Sequence, residues 1–224
     1  MTIDTLRLGN VFDPTVVSGH VVVIGCGALG SAVALQLAKL GLRLTLVDGD
    51  VVESHNLTNQ LLYRTSDIGQ PKAGALAREL RDIAGSHVLS VNDRFEGAVL
   101  NNPYVFCCVD SMASRKMIFD ACTLRPNACL VEGRIGVRDF STFLWDRSSL
   151  ELRQEYAECL YSDDEVSIER APCGTTMSIG ATAQMAASMM VWQFMDFTMN
   201  RSYNSRVDVS LDPMFASSRR IERT

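Results

Sequence analysis

The sequence predicts an α/β fold: a doubly wound, mostly parallel Rossmann-like sheet with helices on both faces and a mobile crossover loop. Three observations carry that prediction. The early strand-like runs are apolar throughout rather than alternating, the mark of strands buried on both faces of a parallel sheet. Strand-like and helix-like stretches alternate with short links. The first link, "GCGALG" at residues 25–30, is a G-x-G-x-x-G turn leading from a strand into a helix.

In chain order, a short polar lead precedes "HVVVIGCG" (20–27), a strand that ends in glycine. "GSAVALQLAKLG" (30–41) has helical spacing and stops at Gly41, and "LRLTLVDGD" (42–50) is a second buried strand running into Asp48 and Asp50. The segment "DVVESHNLTNQLLYRTSDIGQ" (50–70) is polar and irregular, a loop with one helical turn. Proline opens the apolar-periodic "PKAGALARELRDIAG" (71–85), a sound helix start. "HVLSVNDRF" (87–95) and "NNPYVFCCVDS" (101–111) supply the third and fourth strands, and "ASRKMIFDACTLR" (113–125) the next helix. "ACLVEGRIG" (128–136) is the fifth strand; "DFSTFLWD" (139–146) reads as a strand leaving the parallel set. Residues 146–172 are charged and aperiodic, which predicts a mobile or ligand-ordered crossover loop. "SIGATAQMAASMMVWQFMDFTM" (178–199) is a long apolar helix, and the polar stretch from 200 holds one edge strand around "RVDVSL". This organisation is a single domain over 1–224, with a nucleotide-binding half at 18–112 and a partner and crossover half at 113–224.

Bulk properties narrow the function classes. A chain of 224 residues is long enough for a full α/β core. A net charge of -5 speaks against a general nucleic-acid binder, which carries a basic stripe. The start "MTIDTLRLGNVFD" lacks an apolar signal-peptide core, and no run reaches the length of a membrane span, so a cytoplasmic protein without membrane contact is expected. The seven cysteines (Cys26, Cys107, Cys108, Cys122, Cys129, Cys159 and Cys173) are odd in number and contain no C-x-x-C pair. They read as reduced thiols, most of them packed as small hydrophobes, and not as a zinc site.

The glycine turn is a phosphate cradle by its chemistry. Gly25 permits the tight turn, Gly27 lets a phosphate approach the backbone, and Gly30 lets the helix close on the strand. The helix start adds unpaired N–H groups and partial positive charge. Asp48 is placed to accept hydrogen bonds from ribose hydroxyls. None of this separates a dinucleotide from ATP; the polar islands downstream do. In "HNLTNQ" (55–60), Asn56, Asn59 and Gln60 offer neutral hydrogen-bonding groups, with His55 at the border. Lys72 stands in the first turn of a helix, a poor place for a cation unless an anion shares the site. Asp110 ends a buried strand, where a carboxylate suits magnesium held on a polyphosphate. Lysine and aspartate together favour a triphosphate over hydride transfer. Bland readings stay open: Lys72 as a solvated helix residue, Asp110 as a helix cap, Asn56 and Asn59 as turn formers.

With "VVVIGCGALGSAVALQLAKLGLRLTLVDGDVVESHNLTNQLLYRTSDIGQPKA" and "CVDSMASRK" in view, the chain resembles the ThiF/MoeB/HesA adenylyltransferases, bacterial relatives of ubiquitin-activating enzymes. The likeness runs from about residue 18 to 145, and more faintly through the helix near Gly180. It implies an enzyme that uses ATP and Mg2+ to adenylate the C-terminal Gly-Gly carboxylate of a small ubiquitin-like or sulfur-carrier protein. It also implies a dimer, packed through a helix such as the Met-rich "MAASMMVWQFM". By similarity Gly27 lies at the phosphates, Asp48 at the ribose, Asn56 and Lys72 on the phosphates, and Asp110 on magnesium with Ser111 beside it.

The chain departs from the family pattern at Asn59, where the resemblance implies an arginine on the polyphosphate. Arg64 and Arg7 are the candidate substitutes. Cys173, in "ERAPCGTTMSIGA", is open between a reactive thiol near a helix start and a packed one. Cys159 is a weaker candidate, and Cys107 and Cys108 read as core. Two other functions compete: a catalytically weakened binding or scaffold subunit, and a dinucleotide-dependent oxidoreductase.

Overall fold

A computed structural model of the protein describes residues 4–97, 103–125, 127–162 and 178–223. One eight-stranded sheet organises it, in the order β3-β2-β1-β4-β5-β6-β7-β8. The strands β1 (His20–Ile24), β2 (Arg43–Val47), β3 (Val88–Val91), β4 (Tyr104–Cys107) and β5 (Cys129–Ile135) are parallel. β6 (Asp139–Asp146) turns antiparallel to β5, as the sequence predicts for "DFSTFLWD", and β7 (Tyr203–Leu211) and β8 (Met214–Ile221) continue antiparallel.

Successive residues of β1 feed opposite layers. Val21 and Val23 pack with helices α1 (Ala28–Lys39), α2 (Lys72–Ala84) and α5 (Gly180–Thr198); Val22 and Ile24 pack with α3 (Met112–Thr123) and α4 (Leu150–Glu158). Burial on both faces explains the unbroken apolar run. Leu29, Ala32, Val33, Ala34, Leu37 and Ala38 of α1 are all buried, so small side chains let it lie close to both the sheet and α5. α2 is one-sided, burying Ala73, Leu76, Ala77 and Leu80, and it ends at Gly85 in the left-handed conformation.

Two expectations are corrected. Residues 146–162 are not all crossover loop, and 163–172 lie outside the described residues: Ser149 caps a helix, its side chain accepting from Leu152 N, and Leu152 and Tyr156 bury one face four residues apart. The glutamates around them mask that pair in the sequence. "RVDVSL" is not an edge strand either. β7 lies between β6 and β8, joined to β8 across the Asp212–Pro213 turn. The true edge, "MFASSRRI", is exposed along most of its length, so it carries no buried alternation to reveal it.

This topology sets where a crevice for a ligand is expected. The chain winds outward through β1, β2 and β3, then returns to β4 on the other side of β1. The crevice opens at the carboxyl ends of β1 and β4, where the order reverses.

Candidate functional site

Backbone contact builds the floor of the crevice. Gly25 adopts φ +92°, a conformation that favours glycine, and its N–H donates to Val47 O at 2.9 Å. A Cβ there would lie 2.6 Å from the carbonyl oxygen of Cys108, which itself donates its N–H to Ile24 O at 2.8 Å. A Cβ on Gly30 would fall 1.8 Å from the oxygen of Gly25, so α1 sits directly on the end of β1. Gly27 is different. It is the N-cap of α1 with no side-chain cap, and the nearest atom to a Cβ there is Gln60 Nε2 at 4.0 Å. An uncapped helix start beside a side-chain-free residue is a ready anion cradle. Gln60 is buried at 8% exposure, and its Oε1 has no partner among the described residues. The side chain whose Nε2 lies nearest Gly27 thus carries a buried oxygen whose hydrogen bonding is incomplete among the described residues.

Asp48 knits two loops together. Its Oδ2 accepts from Cys26 N at 2.6 Å and its Oδ1 from Asp50 N at 2.8 Å. Burial raises its pKa from the ordinary carboxylate value, and these backbone N–H groups and Lys72 pull the other way. Each oxygen keeps a lone pair able to accept a further hydrogen bond. Lys72, the first residue of α2, is 8% exposed, and its Nζ lies 3.2 Å from Asp50 Oδ2. A buried ammonium at a helix N-terminus needs an anion, and here Asp50 serves; a solvated Lys72 is ruled out by its burial.

Asp110 is exposed in the turn after β4 and forms no hydrogen bond or ion pair among the described residues. Ser111, not Asp110, caps α3: its Oγ accepts from Ser114 N at 3.2 Å. The carboxylate of Asp110 is therefore left for another partner, and a single carboxylate plus substrate phosphates fits how Mg2+ is held.

The 50–70 loop brings its polar residues to different places. Asn56 is buried, and its Oδ1 accepts from Glu53 N at 2.9 Å, shaping its own turn (Ser54–Thr58). The Nδ2 of Asn59 donates to Ser178 Oγ at 2.7 Å, so this side chain braces the entry to α5. His55 lies 3.4 Å from Glu53 in the same turn. Arg64 pairs with Glu79 at 2.6 Å, and Arg7 is exposed on the Leu6–Leu8 turn. Neither is joined to the crevice by a hydrogen bond or ion pair among the described residues.

Two site residues escape the sequence reading. Arg94, beyond β3 at the same sheet edge, has its Cγ 2.6 Å from where a Gly49 Cβ would be, and its Nη2 lies 3.6 Å from Asp50. Asp50 thus stands between two cations, Lys72 and Arg94. Tyr63 is buried, with its hydroxyl donating to Cys26 O at 2.7 Å and reaching Lys72 O at 3.3 Å. It ties the glycine turn to α2, and burial pushes its pKa up, keeping the hydroxyl a donor. Arg94 had one available signal, its place just past a strand at the carboxyl edge; Tyr63 had none.

The cysteines divide by burial. Cys26, Cys107, Cys122 and Cys129 are buried, and desolvation raises all four thiols, Cys107 and Cys122 to about 12. Cys108 lies just past β4 against the glycine turn, its thiol also raised by desolvation. Cys159 ends α4, half-buried, 3.7 Å from Arg206. Cys173 lies outside the described residues.

Comparison with known proteins places this geometry in a family. The ThiF family model matches residues 10–221. The Zea mays adenylyltransferase and sulfurtransferase MOCS3-1 is 37% identical over 121 residues, 50% of this chain and 25% of that protein. The Escherichia coli sulfur carrier protein ThiS adenylyltransferase is 32% identical over 124 residues, 52% of this chain and 49% of that protein. An Arabidopsis thaliana NEDD8-activating enzyme E1 catalytic subunit is 32% identical over 130 residues, 50% of this chain and 29% of that protein. The matches thus span from a quarter to half of these relatives' length. Among solved structures, E. coli MccB superposes with TM-score 0.73 at 18% identity, covering 94% of this chain and 65% of that one. MccB crystallised with ATP gives 0.68 at 17%, covering 93% and 65%. At such identity the structures attest the fold.

Proposed function

The chain belongs to the ThiF family, and on that footing we propose that it is an ATP-dependent adenylyltransferase which activates the C-terminal Gly-Gly carboxylate of a small ubiquitin-like or sulfur-carrier protein. One observation carries the reading. The uncapped, side-chain-free start of α1 at Gly27 lies at the same carboxyl edge of the sheet as a buried lysine and an exposed aspartate that has no partner among the described residues. That set suits a triphosphate with its metal.

In this reading the N–H groups at the start of α1 and Lys72 neutralise phosphate charge, Gln60 completes the cradle, and Asp48 orients the ribose. Asp110, flanked by Ser111, holds Mg2+, which when bound supplies charge neutralisation on the phosphates. Asn56 supports the site through the turn it shapes. The carrier's carboxylate oxygen attacks the α-phosphorus as the bond to the pyrophosphate oxygen breaks, so acyl adenylate and pyrophosphate form together. Alignment and charge neutralisation suffice, with no protein nucleophile. Cys173 is not required for this step.

A homodimer belongs to the same proposal, with the exposed Met185 and Trp192 of α5 as its contact face; light scattering tests it. Localisation in the cytoplasm is also proposed; no helix among the described residues is long and apolar enough to cross a membrane.

The test is carrier-stimulated exchange of labelled pyrophosphate into ATP. Exchange that needs a Gly-Gly-ended carrier and Mg2+ supports the proposal, and absence of exchange with every candidate carrier rejects it. A second reading, a weakened binding subunit, draws on Asn59 bracing Ser178 and Arg64 being taken by Glu79. Poor ATP binding together with copurification of an active paralogue favours it. Tight NADH binding without ATP binding restores the oxidoreductase.

A further inference from the structure

Behind the crevice, on the α3 side of the sheet, lies an ionic cluster that the adenylation chemistry does not use. Glu132 of β5 is fully buried, and a single oxygen, Oε1, accepts from Arg115 Nη1 at 2.7 Å and from Arg134 Nε at 2.5 Å. Among the described residues, three buried polar atoms of this cluster have no partner: Arg115 Nε, Glu132 Oε2 and Arg134 Nη2. Two guanidiniums share one carboxylate, and the network is left incomplete. Such a cluster is a poor device for stability, since apolar residues of the same volume hold a core as well or better.

What the cluster does hold is position. Arg115 lies in the opening turns of α3, its own N–H bonded to Ser111 O at 3.1 Å, and its guanidinium also donates to Gly133 O at 3.0 Å. A buried cation near a helix N-terminus is opposed by the helix dipole, so Glu132 must retain it. The turn it retains begins one residue after Asp110. Arg134 reaches the other way, donating to the carbonyl of Cys159, the C-cap of α4, at 2.8 Å. Its guanidinium lies 4.7 Å over the Phe143 ring. The next residue of β5, Gly133, faces the opposite layer. A Cβ there would meet Met190 Sδ at 2.6 Å and Leu29 Cδ2 at 2.7 Å, and Leu29 adjoins Gly30 on α1. Two consecutive residues of β5 therefore contact the phosphate helix on one face and the Asp110 helix on the other.

We propose that Glu132 is a positioning residue that, through Arg115 and Arg134, sets the Asp110 turn and the end of α4 as one coupled unit. This rests on the adenylation reading of the crevice. It means that metal engagement at Asp110 is felt at residues 159–161, and that loss of the Glu132 charge is felt at the metal.

The first arm of the test uses Glu132→Gln in the full chain. The expected result is at least a tenfold rise in the Mg2+ concentration that half-saturates pyrophosphate exchange, with ATP affinity measured in EDTA changed less than twofold. Glu132→Asp, which keeps the charge, recovers most of the metal dependence. A folded Glu132→Gln with wild-type metal dependence overturns the proposal. The second arm needs no variant: hydrogen exchange on the wild type with and without Mg2+ and ATP. Protection must rise together at Ser114–Arg115 and at Cys159–Leu160; protection confined to the first pair overturns the coupling. Wild-type protein that neither binds ATP nor exchanges pyrophosphate rejects the adenylation reading itself, a separate outcome.

Discussion

Gly27 and Gly30 stand one turn apart, yet alanine at each is expected to fail for a different reason. At Gly30 the new Cβ starts 1.8 Å from the carbonyl oxygen of Gly25, against an ordinary contact of 3.4 Å or more. Both partners are backbone-fixed, so no rotamer relieves the overlap; the end of β1 and the start of α1 must part by roughly 1.6 Å. Overpacking of this kind costs about 3 kcal/mol or more. At about 2–4 °C per kcal/mol for a domain of this size, the melting temperature falls by about 6–12 °C. At Gly27 the nearest atom is Gln60 Nε2 at 4.0 Å and the backbone is extended, so the fold accommodates a methyl. Only the N-cap preference of glycine over alanine is lost, about 1 kcal/mol or less. That methyl, however, projects toward the cradle and holds a phosphate away from the helix N–H groups. A tenfold or greater loss of ATP affinity is expected, equivalent to about 1.4 kcal/mol. Thermal melts and an ATP titration on both variants separate the two effects. Wild-type ATP affinity in Gly27→Ala refutes a phosphate on this turn, and a wild-type melt in Gly30→Ala refutes the strand–helix contact.

Further expectations follow from the same geometry. Asp110→Asn removes a carboxylate with no partner among the described residues, so its melt stays within about 2 °C of wild type while Mg2+-dependent exchange falls about a hundredfold or more; a proportionate loss of both marks a structural role. Arg94→Ala, at a side chain 81% exposed, leaves the fold intact. It is expected to weaken ATP several-fold more than adenosine in competition binding; equal effects place Arg94 away from the phosphates. With thiols of Cys107 and Cys122 raised to about 12, both remain protonated at pH 8 and resist iodoacetamide in the native state. Mass spectrometry after brief alkylation is expected to find Cys159 modified ahead of either, and early modification of Cys107 contradicts its burial.

Strand and helix order, the parallel sheet and the antiparallel turn at "DFSTFLWD" were legible because burial on both faces leaves continuous apolar runs, and because glycine and proline punctuate them locally. The glycine turn was legible for the same reason: Gly25 needs positive φ, and Gly30 leaves no room for a Cβ. α4 and β8 were not, since each buries little or only one face and the charges around them hide the period. Residue type alone brought Asp48, Lys72 and Asp110 forward, all at the carboxyl edge, but long-range pairing settled what each side chain is free to do.

Local chemistry, then, determined the frame: which residues turn, which alternate, and where a helix starts on bare backbone. Tertiary structure decided the assignments across the gaps. It gave the α3 cap to Ser111, turned Asn59 toward Ser178, tied Arg64 to Glu79, and set Arg94 against Asp50 and Glu132 between two arginines. The physical reason is range. A turn or an apolar period is fixed by neighbours a few residues away, whereas a charged side chain finds its partner wherever the sheet topology delivers one.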